Sequence, residues 1–324
     1  MKRHILVIVA VVAASLLWMV VPAAVGAAEY PIKGRAITII VPVVAGGPTD
    51  ITVRLAAPLM EKELGVPVQI VNKPGASTQV GIAALVSAKP DGYTLAAPSI
   101  PTTLVTYLDP GRKSPYARKD FELVASISSD ASAVSTKADS PFKTLKDLVE
   151  AAKATPEKVK VGTAGLGGVT HLTGVALEQE TGARFSFVHF DGGAPSTTAA
   201  LAGHTDASFS SVGAVRGPMM SGQIRVLAVF DKDESPLLPG VKTAIAQGYK
   251  VEGAIINGLI VPAGTPKAIK DILEAAIKKA TADQDMGKRL NDTGLVPRFM
   301  DQAQYTSYWA SNEEWTKRYM DKAK

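Results

Sequence analysis

The sequence predicts an α/β protein of two domains, each built on a largely parallel sheet covered by helices. Three observations carry this: strand-like and helix-like segments alternate, 324 residues allow two domains of ordinary size, and two glycine-rich strand-to-helix turns lie about 120 residues apart.

The first element of the body is the β-branched run Ile37-Thr38-Ile39-Ile40-Val41, which reads as a buried strand over 37–43. It ends in Gly46-Gly47, after which Thr49 or Asp50 is placed to cap a helix over 51–64. Such a turn aims backbone N–H groups and the positive end of a helix dipole at one small space, which suits an anion. Further strands are expected at 68–71, 93–97, 158–161, 185–190, 207–210 and 225–230. Helices are expected at 78–88, 145–154, 171–181, 196–201, 266–280 and 301–320. Thr144 and Asp147 have capping-box spacing, and Pro266 suits a first helical position. Pro58 opposes the pattern and should kink or split the first helix. The last helix carries Tyr305/Trp309 and Trp315/Tyr319 at i, i+4, read as an aromatic face packed on the body. The polar stretch 128–140 marks a domain boundary, with a second crossing near 248–253.

The second glycine turn runs Val161-Gly162-Thr163-Ala164-Gly165-Leu166-Gly167-Gly168-Val169-Thr170-His171. Its glycines let backbone amides approach a ligand closely. Paired with the first turn, it points to one ligand held between two domains. Neither turn fits a nucleotide motif: the first lacks the Lys-Ser/Thr of a P-loop, and Gly165-Leu166-Gly167-Gly168 breaks dinucleotide spacing.

The chain opens with the basic residues Lys2, Arg3 and His4, an apolar run from Ile5 to Val21, Pro22 and a small-residue exit. This reads as a secretory signal over 1–28, cleaved before Ala28 or Glu29, in preference to a retained anchor. Cysteine is absent, so disulfides, thiol catalysis, Cys-ligated zinc and an N-terminal lipid anchor are all excluded. The full chain has 35 basic and 30 acidic residues; without Lys2 and Arg3 the balance is 33 to 30. The basic residues are scattered, which argues against nucleic acid as a partner.

Hydrolase signatures are missing: there is no Gly-x-Ser-x-Gly elbow and no His-Glu-x-x-His. Of His171, His189 and His204, only His171 lies beside a glycine turn. Asp191 and Asp206 follow successive strands, where isolated carboxylates more often make turns than acid–base pairs.

Several of these residues together carry a resemblance. Ile39-Ile40-Val41-Pro42 with Ala45-Gly46-Gly47-x-Thr49-Asp50, Asn72-Lys73-Pro74-Gly75-Ala76 and Lys89-Pro90-Asp91-Gly92-Tyr93-Thr94-Leu95 open it. Ser140-Pro141-Phe142-Lys143-Thr144-Leu145, the second glycine turn, Gly222-Gln223-Ile224-Arg225 and Pro262-Ala263-Gly264-Thr265-Pro266 continue it. In this order they resemble the Bug/TctC-type periplasmic solute-binding proteins, the receptors of tripartite tricarboxylate transporters, over essentially the whole mature chain.

The resemblance implies a two-lobed, Venus-flytrap-like fold of type II character, with the ligand in a cleft between lobes. Lobe 1 would be 29–129 plus 250–324 and lobe 2 would be 130–249. It implies a periplasmic, unlipidated, monomeric receptor that captures a small carboxylate and delivers it to membrane permease subunits, with no cofactor and no enzymatic activity. Carried over by position, Gly46, Gly47, Thr49 and Asp50 form one clamp. Thr163, Ala164, Gly165, Thr170 and His171 form the other, and Ser99 faces the pocket. Ser210, Asp191 and Asn257 stand where many relatives carry an Asp, a basic residue and an aromatic. Without a charged far-end residue the pocket should disfavour amino acids and take a plain dicarboxylate, tricarboxylate or aromatic carboxylate. The same fold would also serve a sensor that presents its ligand to a membrane kinase.

Overall fold

The computed structural model describes residues 30–320; the signal segment expected at 1–28 lies outside them. In chain order the first half comprises β1 (Ile37–Val41), α1 (Pro48–Leu64), β2 (Val68–Asn72), α2 (Gln79–Val86), β3 (Thr94–Ala96), β4 (Ser99–Ile100), α3 (Thr102–Leu108), β5 (Phe121–Lys137) and α4 (Leu145–Ala154). There follow β6 (Lys160–Thr163), α5 (Val169–Thr181), β7 (Ser186–His189), α6 (Gly193–Leu201), β8 (Ala207–Ser211), α7 (Val212–Met220) and β9 (Ile224–Phe230). The chain then returns through β10 (Ala254–Pro262), α8 (Lys267–Thr281), α9 (Gln284–Asp292), β11 (Val296–Pro297) and α10 (Gln302–Met320).

Two α/β lobes share one strand. In the first, β1 lies parallel to β2 and β3, with Ile39 opposite Ile70 on one side and Leu95 on the other. β10 closes this sheet antiparallel to β3, β4 and β5. In the second, β6 runs parallel to β7 and β8. β5 serves both: through Ala131 it pairs with β10, and from Ser132 it pairs with β8 and β9. Most of the polar stretch 128–140 is strand, at the point where β5 changes partners.

Each lobe has its own core. Ile37, Ile39 and Val41 meet Val53, Ala56 and Met60 of α1 and Leu273 and Ile277 of α8. The opposite face of that sheet buries Ile82, Leu85, Leu104, Phe121, Tyr305 and Trp309. In the second lobe Leu148, Val161, Leu172, Phe209 and Phe230 pack together. Each such side chain contributes roughly 1.5–3 kcal/mol when fully buried. α10 touches both cores, since Tyr305 and Trp309 belong to the first and Tyr319 to the second. Its aromatics pack edge-on, Tyr305 to Trp309 at 6.0 Å and Trp315 to Tyr319 at 5.3 Å, as the spacing predicts.

Three local expectations need correction. Neither Thr49 nor Asp50 caps α1: the helix begins at Pro48 on Gly47, without a side-chain cap. Pro58 does not end the helix. The carbonyl that it leaves without an intrahelical donor belongs to Arg54, and both residues are exposed. Pro266 is the N-cap of α8, one residue before the helix that it was expected to open. The capping box of α4 forms as read, with Asp147 N–H donating to Thr144 Oγ1 at 3.1 Å and Thr144 N–H to Asp147 Oδ2 at 2.9 Å.

Candidate functional site

β1 delivers the chain into the first loop, where Gly46 adopts φ +88°, a left-handed conformation suited to glycine. Its N–H donates to Asp50 Oδ2 at 2.9 Å, and Arg54 Nε donates to the same oxygen at 2.8 Å. Asn72 Nδ2 donates to Asp50 Oδ1 at 2.8 Å and to Val43 O at 3.1 Å. Burial pushes the Asp50 carboxyl up, but the bonds from Arg54, Gly46 and Asn72 outweigh it and hold it below the usual carboxylate range. Asp50 thus straps the loop to α1 and β2, with its charge directed into the protein. What α1 offers outward is backbone: Thr49 and Asp50 N–H stand in a first turn that has no intrahelical acceptors.

Beneath the loop, Thr49 Oγ1 donates to Asn257 Oδ1 at 2.7 Å, and Asn257 Nδ2 donates to Ser128 Oγ at 3.1 Å. Ser128 Oγ also meets Thr52 Oγ1 at 2.7 Å. This buried chain seats α1 on β5 and β10. Ser99 joins the same corner: it is paired with Asn257 across β4 and β10, and its N–H donates to Thr103 Oγ1 at 3.1 Å.

The second loop repeats the plan by other means. Gly165 at φ +141° and Gly167 at φ +70° turn the chain into α5, which begins on Gly168. Ala164 N–H donates to Thr170 Oγ1 at 2.9 Å, and Gly167 N–H donates to His171 Nδ1 at 3.0 Å. Thr163 Oγ1 and His189 Nδ1 are 2.7 Å apart. The His171 ring meets His189 at 4.5 Å and Phe187 at 4.8 Å, both edge-on. Burial, then the neighbouring His189, lowers the His171 pKa to about 4. Accepting at Nδ1 places the proton of this neutral ring on Nε2. Thr163, Thr170 and His171 side chains therefore brace the loop, and what α5 offers is the set of first-turn N–H groups without intrahelical acceptors.

Val44 and Leu166, at the tips of the two loops, are each 68% exposed. Ser210 follows Phe209, the partner of Thr163 across β6 and β8, at the base of the second loop. It is fully buried, donating to Gly193 O at 3.0 Å and accepting from Thr197 Oγ1 at 3.0 Å, with Ser208 Oγ 2.8 Å away. It anchors α6 from beneath and meets no open space. Asp206 accepts from Lys160 N–H at 2.8 Å, a strand-end turn.

Two features were missed in the sequence. Gly192, at φ +116°, opens α6 in a third glycine turn, for which the Gly192-Gly193 pair was an available signal. The stripe Ser128, Asp130, Ser132 on β5 faces the two loop helices: Ser128 reaches Thr52 of α1, and Ser132 Oγ lies 3.5 Å from Thr173 Oγ1 of α5, whose own proton goes to Val169 O at 2.7 Å. Alternation along the strand puts Asp130 on that face. Among the described residues no group of three or more His, Asp or Glu side chains could hold a metal ion, and no helix is long and apolar enough to span a membrane.

Two α/β lobes that share a central strand, each offering a glycine turn at a helix N-terminus, define a solute-binding receptor fold. Residues 52–323 match the Tripartite tricarboxylate transporter family receptor, TctC. The chain belongs to that family, whose members are substrate-binding proteins and not enzymes. It is 30% identical to the UPF0065 protein in the gbd 5' region of Cupriavidus necator, over 99% of this chain and 97% of the relative. A ligand-free TctC solute-binding protein from Polaromonas matches at TM-score 0.83 and 30% identity, over 90% of this chain and 99% of that one. MatC from Rhodopseudomonas palustris, solved with bound malate, matches at TM-score 0.68 and 26% identity, over 91% and 100%.

Proposed function

We propose that this protein is a periplasmic receptor that closes its two lobes on a small organic carboxylate and delivers it to the membrane permease of a tripartite transporter. The observation that carries the reading is the pair of glycine turns, one per lobe, each ending in a helix N-terminus with its side chains turned inward. Backbone N–H groups and helix dipoles neutralise a carboxylate without burying a full ion pair, so the anion is held at a modest desolvation cost.

The proposed clamp is Gly46, Gly47, Thr49 and Asp50 in lobe 1 and Thr163, Ala164, Gly165, Thr170 and His171 in lobe 2, with Ser99 at the side. Asp50, Thr170 and His171 act by shaping the loops. Ser210 acts through the seat of α6. Residues 29–129 with 250–324 form lobe 1 and 130–249 form lobe 2, with β5 as the main crossing. A ligand that bonds both lobes only when they are closed shifts the open–closed equilibrium. The exposed Val44 and Leu166 favour an apolar body between the acid groups, as in a plain dicarboxylate or an aromatic carboxylate. MatC, a relative at 26% identity with bound malate, supports a carboxylate as the ligand class.

The test is a thermal-shift screen of the mature chain against di-, tri- and aromatic carboxylates, with sugars and amino acids as controls. A ligand at ~100 times its dissociation constant adds about 2.7 kcal/mol, which appears as a rise of several degrees in Tm. Selective stabilisation by carboxylates is expected. Stabilisation by a sugar, or by aspartate or glutamate above all other acids, would overturn the reading.

A further inference from the structure

Asp130 is the group that the clamp leaves unexplained. It is 5% exposed, and its Oδ1 is sealed from solvent with no hydrogen-bond partner. Its one hydrogen-bonding neighbour is the Ser211 hydroxyl, at the N-cap of α7. It shares the face of β5 with Ser128, which is tied to α1, and Ser132, which lies against α5. It therefore sits on the seam between lobes, one helical turn beneath both anion loops, where β5 passes from β10 to β8 and β9.

An ionised carboxylate in that place would be doubly unfavourable. One oxygen would carry charge without a partner, and the charge would lie beneath a bound anion. A neutral acid carries neither penalty. We propose that Asp130 is a proton-binding site coupled to anion capture: an anion held by the two loops above it favours the neutral acid further, so receptors in which Asp130 is ionised take up a proton as they bind a carboxylate. This deepens the proposed function and rests on it.

The surrounding charges do not supply another explanation. Asp50 and Arg54 of α1 are paired with each other, as are Asp231 after β9 and Arg298 after β11. His171 of α5 is held neutral. Arg216 of α7 donates to Asn291 O, and Glu252 lies before β10. Burial pushes the Asp130 pKa up to about 7, against a small opposing effect of Ser211.

The experiment is calorimetric titration of the mature chain and of Asp130→Asn with the carboxylate that gives the largest thermal shift. It is run between about pH 6.5 and 8.5 in two buffers of different ionisation enthalpy. Wild type is expected to take up a fraction of a proton that grows as pH rises past 7, with affinity falling by up to tenfold per pH unit. Asp130→Asn, which keeps the shape and cannot ionise, should take up none and show a profile flat to within about twofold once the probe's own titration, common to both, is removed. Proton uptake in wild type is read without any variant, so a misfolded variant does not spare the proposal. Binding with no proton uptake, or with equal uptake in both chains, overturns this inference and leaves the receptor reading intact. No carboxylate binding at any pH overturns the receptor reading, and this inference with it.

Discussion

Replacing Asp50 with Ala removes the strap of the first loop. Three donors lose their acceptor at once: Gly46 N–H, Arg54 Nε and Asn72 Nδ2. Asp50 is 1% exposed, so the bonds from Gly46 and Asn72 to its charge are sheltered, each worth about 1–1.5 kcal/mol net. The Arg54 side chain is 48% exposed, so solvent screening limits its pair to at most about 1 kcal/mol. The sum is a loss of roughly 3 kcal/mol of stability at pH 7. Urea unfolding of the ligand-free chain reads it directly. Because the Asp50 carboxyl is held low, its contribution is present above the unfolded carboxylate value of about 3.9 and is lost as pH falls through the lower folded value. The stability curves of the two proteins should therefore converge in acid. Loosening Gly46 also disorders half of the clamp, so carboxylate affinity should fall about tenfold or more, equivalent to 1.4 kcal/mol. A variant that is destabilised yet binds with undiminished affinity would refute the link between the strap and the site.

Four further outcomes follow from the same geometry. His171→Asn should flatten the acid sensitivity of the second lobe: a neutral His171 with pKa about 4 stabilises the fold above the unfolded value near 6.5, and that stability is lost as pH falls toward 4, so the urea midpoint of wild type should fall relative to that of the variant across that window. Asp130 has the opposite sign. Its raised carboxyl makes wild type lose stability relative to Asp130→Asn as pH rises from about 4 to 7, read by urea unfolding across that range. Gly253→Ala places a Cβ against Thr173 Oγ1 and Cβ, where β10 meets α5, and should cost about 1–3 kcal/mol by thermal unfolding. Trp309→Ala empties a fully buried site in the first core and should cost about 3–5 kcal/mol.

Much of the framework was legible because local chemistry and tertiary packing agree. The 37–43 run, the Thr144–Asp147 box and the aromatic pairs of the last helix each pack as their pattern dictates. The glycine turns were legible for the same reason, since the left-handed conformations at Gly46, Gly165 and Gly167 demand that residue. β5 was not legible. Ser128, Ser129, Asp130, Ser132, Ser135 and Thr136 read as a polar break in the apolar pattern at a domain boundary, yet every one is buried, because the strand lies under helices of both lobes. The direction of the site side chains was equally hidden. Asp50 reads as a cap, but Arg54 and Asn72, one turn and one strand away, draw its carboxylate inward. Ser210 is silent in sequence because its burial depends on α6 closing over β8.

The central claim is that one carboxylate is held by both loops at once. It is tested most directly by following the amide resonances of Gly47, Thr49, Asp50, Gly165 and Thr170 in the isotopically labelled mature chain during titration with the best-stabilising carboxylate. The account predicts that amides of both loops shift together, along one saturation curve. Shifts confined to one loop, or saturable binding that moves neither, would contradict it.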